Sequence, residues 1–386
     1  MRSKIFSGRR WMAVASLTTA LAVTGILGLT AATTGNPPAN VKVATTAPSH
    51  GGYSAVVKQV LPAVVNISSS RTVSNNQISA DMPDEFFRQF FGNQFRDVPQ
   101  DRREKALGSG VIVSPEGYIL TNNHVVDGAT DVTVTLHDKR ELKARVVGTD
   151  PRTDIAVLKV EGSNFPTLTL ADSSKVEVGD VVLAIGDPFG VGKTVTQGIV
   201  SATGRGGLGI EEVEDFIQTD ASINPGNSGG ALVDDQGHLI AINTAILGSS
   251  GGSEGIGFAV PVNLAKYDMD QIVAHGKVER GYMGIVPEDA EGSKGATVKQ
   301  ISANGPASKS ELKTGDVIVA VNGQSVEDAN QLRLKVSMLA PNAKVDFKVM
   351  RDGKPLQVAM TLGDFPETQE RAAAPQQPQR RQWRQR

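Results

Sequence analysis

The chain of 386 residues contains no cysteine, which excludes disulfide staples, thiolate catalysis and cysteine-based zinc or iron–sulfur sites. Stability has to come from packing. A charge imbalance is also missing: 39 lysines and arginines stand against 41 aspartates and glutamates, a formal net charge of -2. That balance supplies no general field for a polyanion, so nucleic acid is not expected as a partner. Histidine is scarce, with five in the whole chain, and no metal-ligand spacing occurs, so neither a metal nor another cofactor is expected.

What is present divides the chain into segments. Lys4, Arg9 and Arg10 precede an uncharged, largely apolar run from Trp11 to Ala32, the pattern of a segment that directs a chain through a membrane. Residues 1–32 therefore read as a signal peptide, with Thr30-Ala31-Ala32 as a small-residue cleavage site, or as a retained membrane anchor over residues 11–32; both remain open. Residues 33–52 are rich in Thr, Pro, Ala and Gly and read as a linker. From Tyr53 to Val262, short Val/Ile/Leu/Thr runs such as Gly110–Val113, Val132–Leu136 and Val181–Ile185 alternate with turn signals, which predicts a barrel or sandwich. Phe86, Phe87, Phe90 and Phe91 interrupt this domain on one face of a predicted helix. That helix packs on its own barrel or forms an aromatic loop over a cleft or against another subunit. Residues 263–280 read as a connecting helix. A second unit over 281–363 has strands at Val317–Val321 and Val345–Val349 around a helical stretch, Ala329–Leu339. From Gly363 to Arg386 the chain is Gln/Pro/Arg-rich and is expected to be disordered.

The strongest chemical signal is Gly226-Asn227-Ser228-Gly229-Gly230, a serine between glycines that permit a sharp turn and close approach of a carbonyl. A serine hydroxyl is a weak nucleophile unless a base takes its proton and a third group orients that base. His124, in Thr121-Asn122-Asn123-His124-Val125-Val126 at the end of the predicted strand Tyr118–Leu120, is the candidate base. Asp154 heads the apolar run Ile155–Leu158. A carboxylate there is costly unless hydrogen-bonded, and an imidazole N–H is its natural partner. The order His124, Asp154, Ser228 is the chymotrypsin order. The α/β-hydrolase alternative requires a strand before the serine and a helix after it, whereas Ala221–Pro225 reads as loop and Ala231–Val233 as strand. Gly204-Arg205-Gly206-Gly207-Leu208-Gly209 fits a nucleotide-binding pattern in letters only, because no βαβ unit surrounds it.

These blocks, with Thr153-Asp154-Ile155-Ala156-Val157-Leu158-Lys159, Gly226 to Leu232 and Gly255-Ile256-Gly257-Phe258-Ala259-Val260-Pro261, closely resemble the bacterial HtrA/Deg serine proteases from Ser54 to Leu362. The single C-terminal module is similar to the one-PDZ, DegQ/DegS-like members. The resemblance implies a mainly β fold, a chymotrypsin-like double β-barrel protease domain followed by one PDZ domain of α+β type. It implies a catalytic triad of His124, Asp154 and Ser228, and an oxyanion hole from the backbone N–H groups of Gly226 and Ser228. Asn227 stands where trypsin-like enzymes keep an aspartate that pairs with a freed N-terminus, so activation by that ion pair is not expected. Ser222 replaces an acidic pocket floor, and Ile223 and Ile246 match positions lining the primary pocket, which implies cleavage after small or medium apolar residues.

The segment from Gly204 through Asp215 is similar to the loop that senses the PDZ domain or a neighbouring subunit. Gly281-Tyr282-Met283-Gly284-Ile285 resembles the PDZ carboxylate-binding loop, with Met283 where leucine is common. The resemblance further implies a periplasmic, ATP-independent endopeptidase acting on unfolded or mislocalised envelope proteins, taking C-terminal peptides in its PDZ groove and assembling as a homotrimer. The rival expectation is an envelope chaperone or scaffold in which proteolysis is secondary.

Overall fold

The computed structural model describes residues 52–72, 103–187, 192–224, 226–246 and 254–365. The apolar run 11–32 and the Phe86–Phe91 segment lie outside them. Among the described residues no helix is long and apolar enough to cross a membrane.

A short helix, α1 (Ser54–Val60), precedes the first barrel. That barrel comprises β1 (Val64–Thr72), β2 (Arg103–Ile112), β3 (Tyr118–Asn122), β4 (Asp131–Thr135), β5 (Glu141–Asp150) and β6 (Ile155–Val160). It closes in the order β1-β2-β3-β6-β5-β4, with β4 returning to β1 through pairs such as Ile67↔Val134. The second barrel comprises β7 (Val181–Gly186), β8 (Thr194–Arg205), β9 (Phe216–Thr219), β10 (Ala231–Asp234), β11 (Leu239–Ile246) and β12 (Gly257–Pro261). Its order, β7-β8-β9-β12-β11-β10, repeats the first.

Strand parity explains the packing. Val65, Ile67, Ile112, Ile119 and Leu158 fill the first barrel, and Val182, Ala184, Leu232 and Ala241 fill the second. Their neighbours along the strands, Val64, Val111, Leu120, Val157, Leu183, Ala231 and Ile242, join one core between the barrels. Successive side chains of a strand point to opposite faces, so a strand covered on both sides reads as a continuous apolar run. β6 and β7 are therefore buried almost throughout, whereas β4 alternates. Each fully buried Val, Leu or Ile contributes about 1.5–3 kcal/mol, so the interface between barrels is as well supported as their interiors.

A one-turn helix, α2 (Asn123–Val126), follows β3, and α3 (Val262–His275) follows the second barrel. The connecting helix expected over 263–280 is thus shorter at its C-terminus. Gly276 takes φ +77° and donates its N–H to Ile272 O, an end that suits glycine because a Cβ disfavours that backbone.

The second unit has its own core, built from Val298, Ile318, Leu332, Phe347 and Val358 among others. It contains β13 (Gly281–Tyr282), β14 (Ile285–Asp289), β15 (Ala296–Ile301), β16 (Val317–Val321), β17 (Gln324–Ser325), α4 (Ala329–Ser337), β18 (Lys344–Arg351), β19 (Lys354–Thr361) and β20 (Gly363–Asp364). The main sheet runs β14-β15-β16-β18-β19, which leaves β14 at an edge. Asp328 caps α4 by accepting the Gln331 N–H at 2.7 Å. The disorder expected from Gly363 onward is corrected for its first residues: β20 pairs with β13, and the Phe365 ring packs on Tyr282 at 5.1 Å. Composition averaged over the Gln/Pro/Arg-rich tail hides this short pairing.

Candidate active site

The site is assembled where the barrels meet. β3 leads directly into α2, which carries His124, and Asp154 closes the turn before β6. Asp154 has φ +58°, a left-handed conformation that aspartate adopts more readily than most side chains. Its carbonyl accepts the Asn123 N–H and the Asn122 side-chain amide, each at 3.0 Å, which holds this backbone in place.

The Asp154 carboxylate is 5% exposed and has three described partners. Oδ2 lies 2.7 Å from His124 Nδ1, Oδ1 accepts the His124 backbone N–H at 2.9 Å, and Oδ2 accepts the Thr244 hydroxyl at 2.7 Å. These bonds offset the cost of burying the charge and fix the imidazole ring. With Nδ1–H donated to the carboxylate, the basic lone pair resides on Nε2. Ser228 Oγ donates to Thr244 O at 3.3 Å. Thr244 thereby touches both the acid and the serine. It sits where the β11–β12 register shifts between Asn243 and Ala245, a bulge that re-aims a side chain out of strand phase.

The turn bearing Ser228 is gripped by the first barrel. Ser109 of β2 donates its N–H to Ser228 O at 2.8 Å and its hydroxyl to Gly226 O at 2.6 Å. Gly229 has φ +80°, and a Cβ there would stand 2.2 Å from Ser109 O and 2.3 Å from Thr121 Oγ1. No larger residue fits without displacing β2. Gly226 has φ +96°. The intervening Asn227 N–H is committed to Asn224 O at 2.9 Å, leaving Gly226 and Ser228 as the amides flanking it; residue 225 lies outside the described residues.

Ile223 is fully buried and packs in the second-barrel core against Gly257, so it presents no surface to a substrate side chain in this structure. The Ile246 side chain lies outside the described residues. At the end of β8, before the loop that follows it, Arg205 Nε donates to Gln218 Oε1 at 3.0 Å. The buried Glu214 carboxylate accepts the N–H groups of Leu208, Ile210 and Glu211 at 2.7, 2.7 and 3.0 Å. Asn330 of α4 donates to Glu214 O at 2.8 Å, so this loop touches the second unit. The five residues Gly281–Ile285 form β13, a turn with Gly284 at φ +75° and the start of β14; Met283 is buried.

A network that the sequence reading missed supports the acid from behind. Arg280 is fully buried and contacts both Asp150 and Asp268, with Nε 3.0 Å from Asp150 Oδ2 and Nη2 2.5 Å from Asp268 Oδ1. Thr153 Oγ1 donates to Asp268 Oδ2 at 2.6 Å and is the neighbour of Asp154. Burial pushes Asp268 up to about 7, outweighing the downward pull of Arg280, and Asp150 adds to the rise. Burial alone would lower Arg280, yet Asp268 and Asp150 hold it above its ordinary value. Thr244 had a usable signal, since Asn243-Thr244 is a polar pair inside the apolar strand Leu239–Ile246. Arg280 had none: an arginine between domains ordinarily reads as solvated.

Two barrels of one topology, an Asp–His pair from the first and a serine turn from the second that both reach Thr244, and a separate sheet-and-helix unit behind them define a trypsin-like serine peptidase with one PDZ domain. The Trypsin-like peptidase domain family matches residues 108–242 and the PDZ domain family matches residues 281–362. A probable periplasmic serine endoprotease DegP-like of Chlamydia pneumoniae is 43% identical over 339 residues, 82% of this chain and 69% of that protein. The periplasmic pH-dependent serine endoprotease DegQ of Escherichia coli (strain K12) is 43% identical over 319 residues, 80% of this chain and 69% of that protein. Among solved structures, the HtrA-type protease AlgW with a tripeptide shares 42% identity at a TM-score of 0.69, covering 82% of this chain and 99% of that one. The chain belongs to the HtrA family of periplasmic serine endoproteases, and it is a serine-type endopeptidase.

Proposed function

We propose that His124, Asp154 and Ser228 form the triad of an endopeptidase that cleaves unfolded or misfolded proteins of the cell envelope, and that the PDZ domain binds C-terminal peptides of substrates or regulators. The observation that carries this reading is the 2.7 Å contact of His124 Nδ1 with Asp154 Oδ2, in a cluster that also reaches Ser228 through Thr244.

Ser228 Oγ attacks the scissile carbonyl carbon while His124 Nε2 takes its proton. The resulting oxyanion is held by the N–H groups of Gly226 and Ser228, a contribution of about 3 kcal/mol for each donor. The imidazolium then protonates the leaving amine, and a water repeats the sequence to release the acyl group. Asp154 stays ionised throughout, fixing the tautomer and stabilising the imidazolium. Arrangement as a homotrimer and export directed by residues 1–32 complete the proposal; light scattering and N-terminal sequencing of the exported protein test these two parts.

The experiment is a comparison of Ser228→Ala with wild type on an unfolded, casein-like substrate. The variant is expected to lose roughly a millionfold in kcat. Cleavage retained by the variant removes Ser228 from the mechanism. Suppression of aggregation that persists without cleavage adds a holding activity to the same molecule.

A further inference from the structure

We infer that Arg333 determines the specificity of the PDZ groove and selects C-terminal peptides with an acidic residue at the third position from the end. This rests on the reading of the domain as a binder of C-terminal peptides, and it concerns what that site prefers.

β14 is the edge strand on which an incoming peptide would add. The orientation of its backbone follows from its neighbour. Opposite Pro287, Val298 of β15 donates its N–H to Asp316 O and accepts the Gly315 N–H, each at 2.9 Å. Both groups of Val298 point toward β16, so 287↔298 is a pair without mutual hydrogen bonds, and the backbone of Pro287 faces the open edge. At that edge an added strand ordinarily finds one N–H and one C=O on the same residue. Proline has no N–H. The strand therefore offers half of the expected pair, and the peptide carbonyl opposite it has no backbone donor.

Arg333 of α4 stands at this gap. Its Nη2 donates to Pro287 O at 3.2 Å, across the space between α4 and β14. The acids of the same strand are already engaged: Asp289 Oδ1 accepts the Ala329 N–H at 2.9 Å, and Glu288 pairs with Lys299 at 2.5 Å. Arg333 thus presents a cation to the rim while bonded there to a neutral carbonyl. A carboxylate is the stronger acceptor for a guanidinium, because it adds the attraction of an opposite charge and can take two parallel N–H···O bonds. A peptide with its terminal carboxylate at Met283–Ile285 places its third residue from the end beside Pro287. An Asp or Glu there draws Arg333 off Pro287 O, and the freed carbonyl accepts the peptide N–H.

The test measures binding of labelled hexapeptides to the full chain carrying Ser228→Ala, which prevents cleavage. The peptides differ only in Glu or Gln at the third position from the end, and a third has the Glu sequence with an amidated C-terminus. The Glu peptide is expected to bind about tenfold more tightly than the Gln peptide. The preference should vanish in Arg333→Ala and survive in part in Arg333→Lys; Arg333 is exposed, so neither change removes core packing. Equal binding of the two peptides to unaltered Arg333, or a preference that persists in Arg333→Ala, overturns the assignment while leaving the C-terminus reading intact. Undiminished binding of the amidated peptide overturns that reading, and the inference with it.

Discussion

The two barrels share one strand order and differ in how each holds its part of the site. The first presents His124 and Asp154 from strand ends, braced by the Asn122 side chain, Thr244 and the buried Arg280 network. The second presents Ser228 on a glycine turn whose grip comes from Ser109 across the interface. Asp154 and His124 are held by several side-chain bonds at once, and Ser228 is placed by backbone conformation. Identical topology thus supports two kinds of positioning, because chemistry is set at the loops and not by the barrel.

Perturbing each half sharpens this contrast. With Ser228 left in place, the largest effect is expected from Asp154→Asn, which keeps the shape of the first-barrel half but favours the wrong imidazole tautomer. We expect kcat to fall about 10⁴-fold, read with a peptide substrate at neutral pH. A loss of less than tenfold would show that the first barrel does not orient the base. Next in size, Arg280→Met leaves Asp150 and Asp268 buried without their cation, and urea unfolding should show a loss of about 3–5 kcal/mol. An unchanged midpoint would remove the network as a brace.

Thr244→Val deletes one hydrogen bond to an ionised, buried acceptor and should lower kcat by roughly ten- to a hundredfold while leaving the fold intact. Equal activity would mean that Thr244 is packing alone. A further effect concerns pH. Asp268 is raised from 3.8 to about 7 by burial, so between those values the folded chain holds a proton that the unfolded chain has released. Its contribution to stability is therefore present at low pH and is lost as pH rises toward 7. Asp268→Asn should flatten that part of the stability profile, measured by urea midpoints across the interval; an unaltered slope assigns it to other groups.

Much of this was readable in one dimension. The strands at Val132–Leu136, Val181–Ile185 and Val317–Val321 were legible because apolar periodicity is local. The triad candidates were legible because each lies in a short block whose composition conflicts with its surroundings: an acid heading an apolar strand, a serine among glycines. Thr244 required a bulge, and Arg280 required β5, α3 and the segment after α3 to converge, which no local pattern encodes. Ile223 carried the pocket expectation of its family position, yet it belongs to the core of the second barrel here. Pro287 was visible as a letter, but its consequence depended on which way the edge strand faces.

The most direct test of the account is covalent labelling with a fluorophosphonate, followed by peptide mass spectrometry, in wild type and His124→Ala. One adduct per chain on Ser228 is expected in wild type, with loss of that adduct in the variant. Labelling of a different residue, or undiminished labelling of Ser228 without the imidazole, would contradict it.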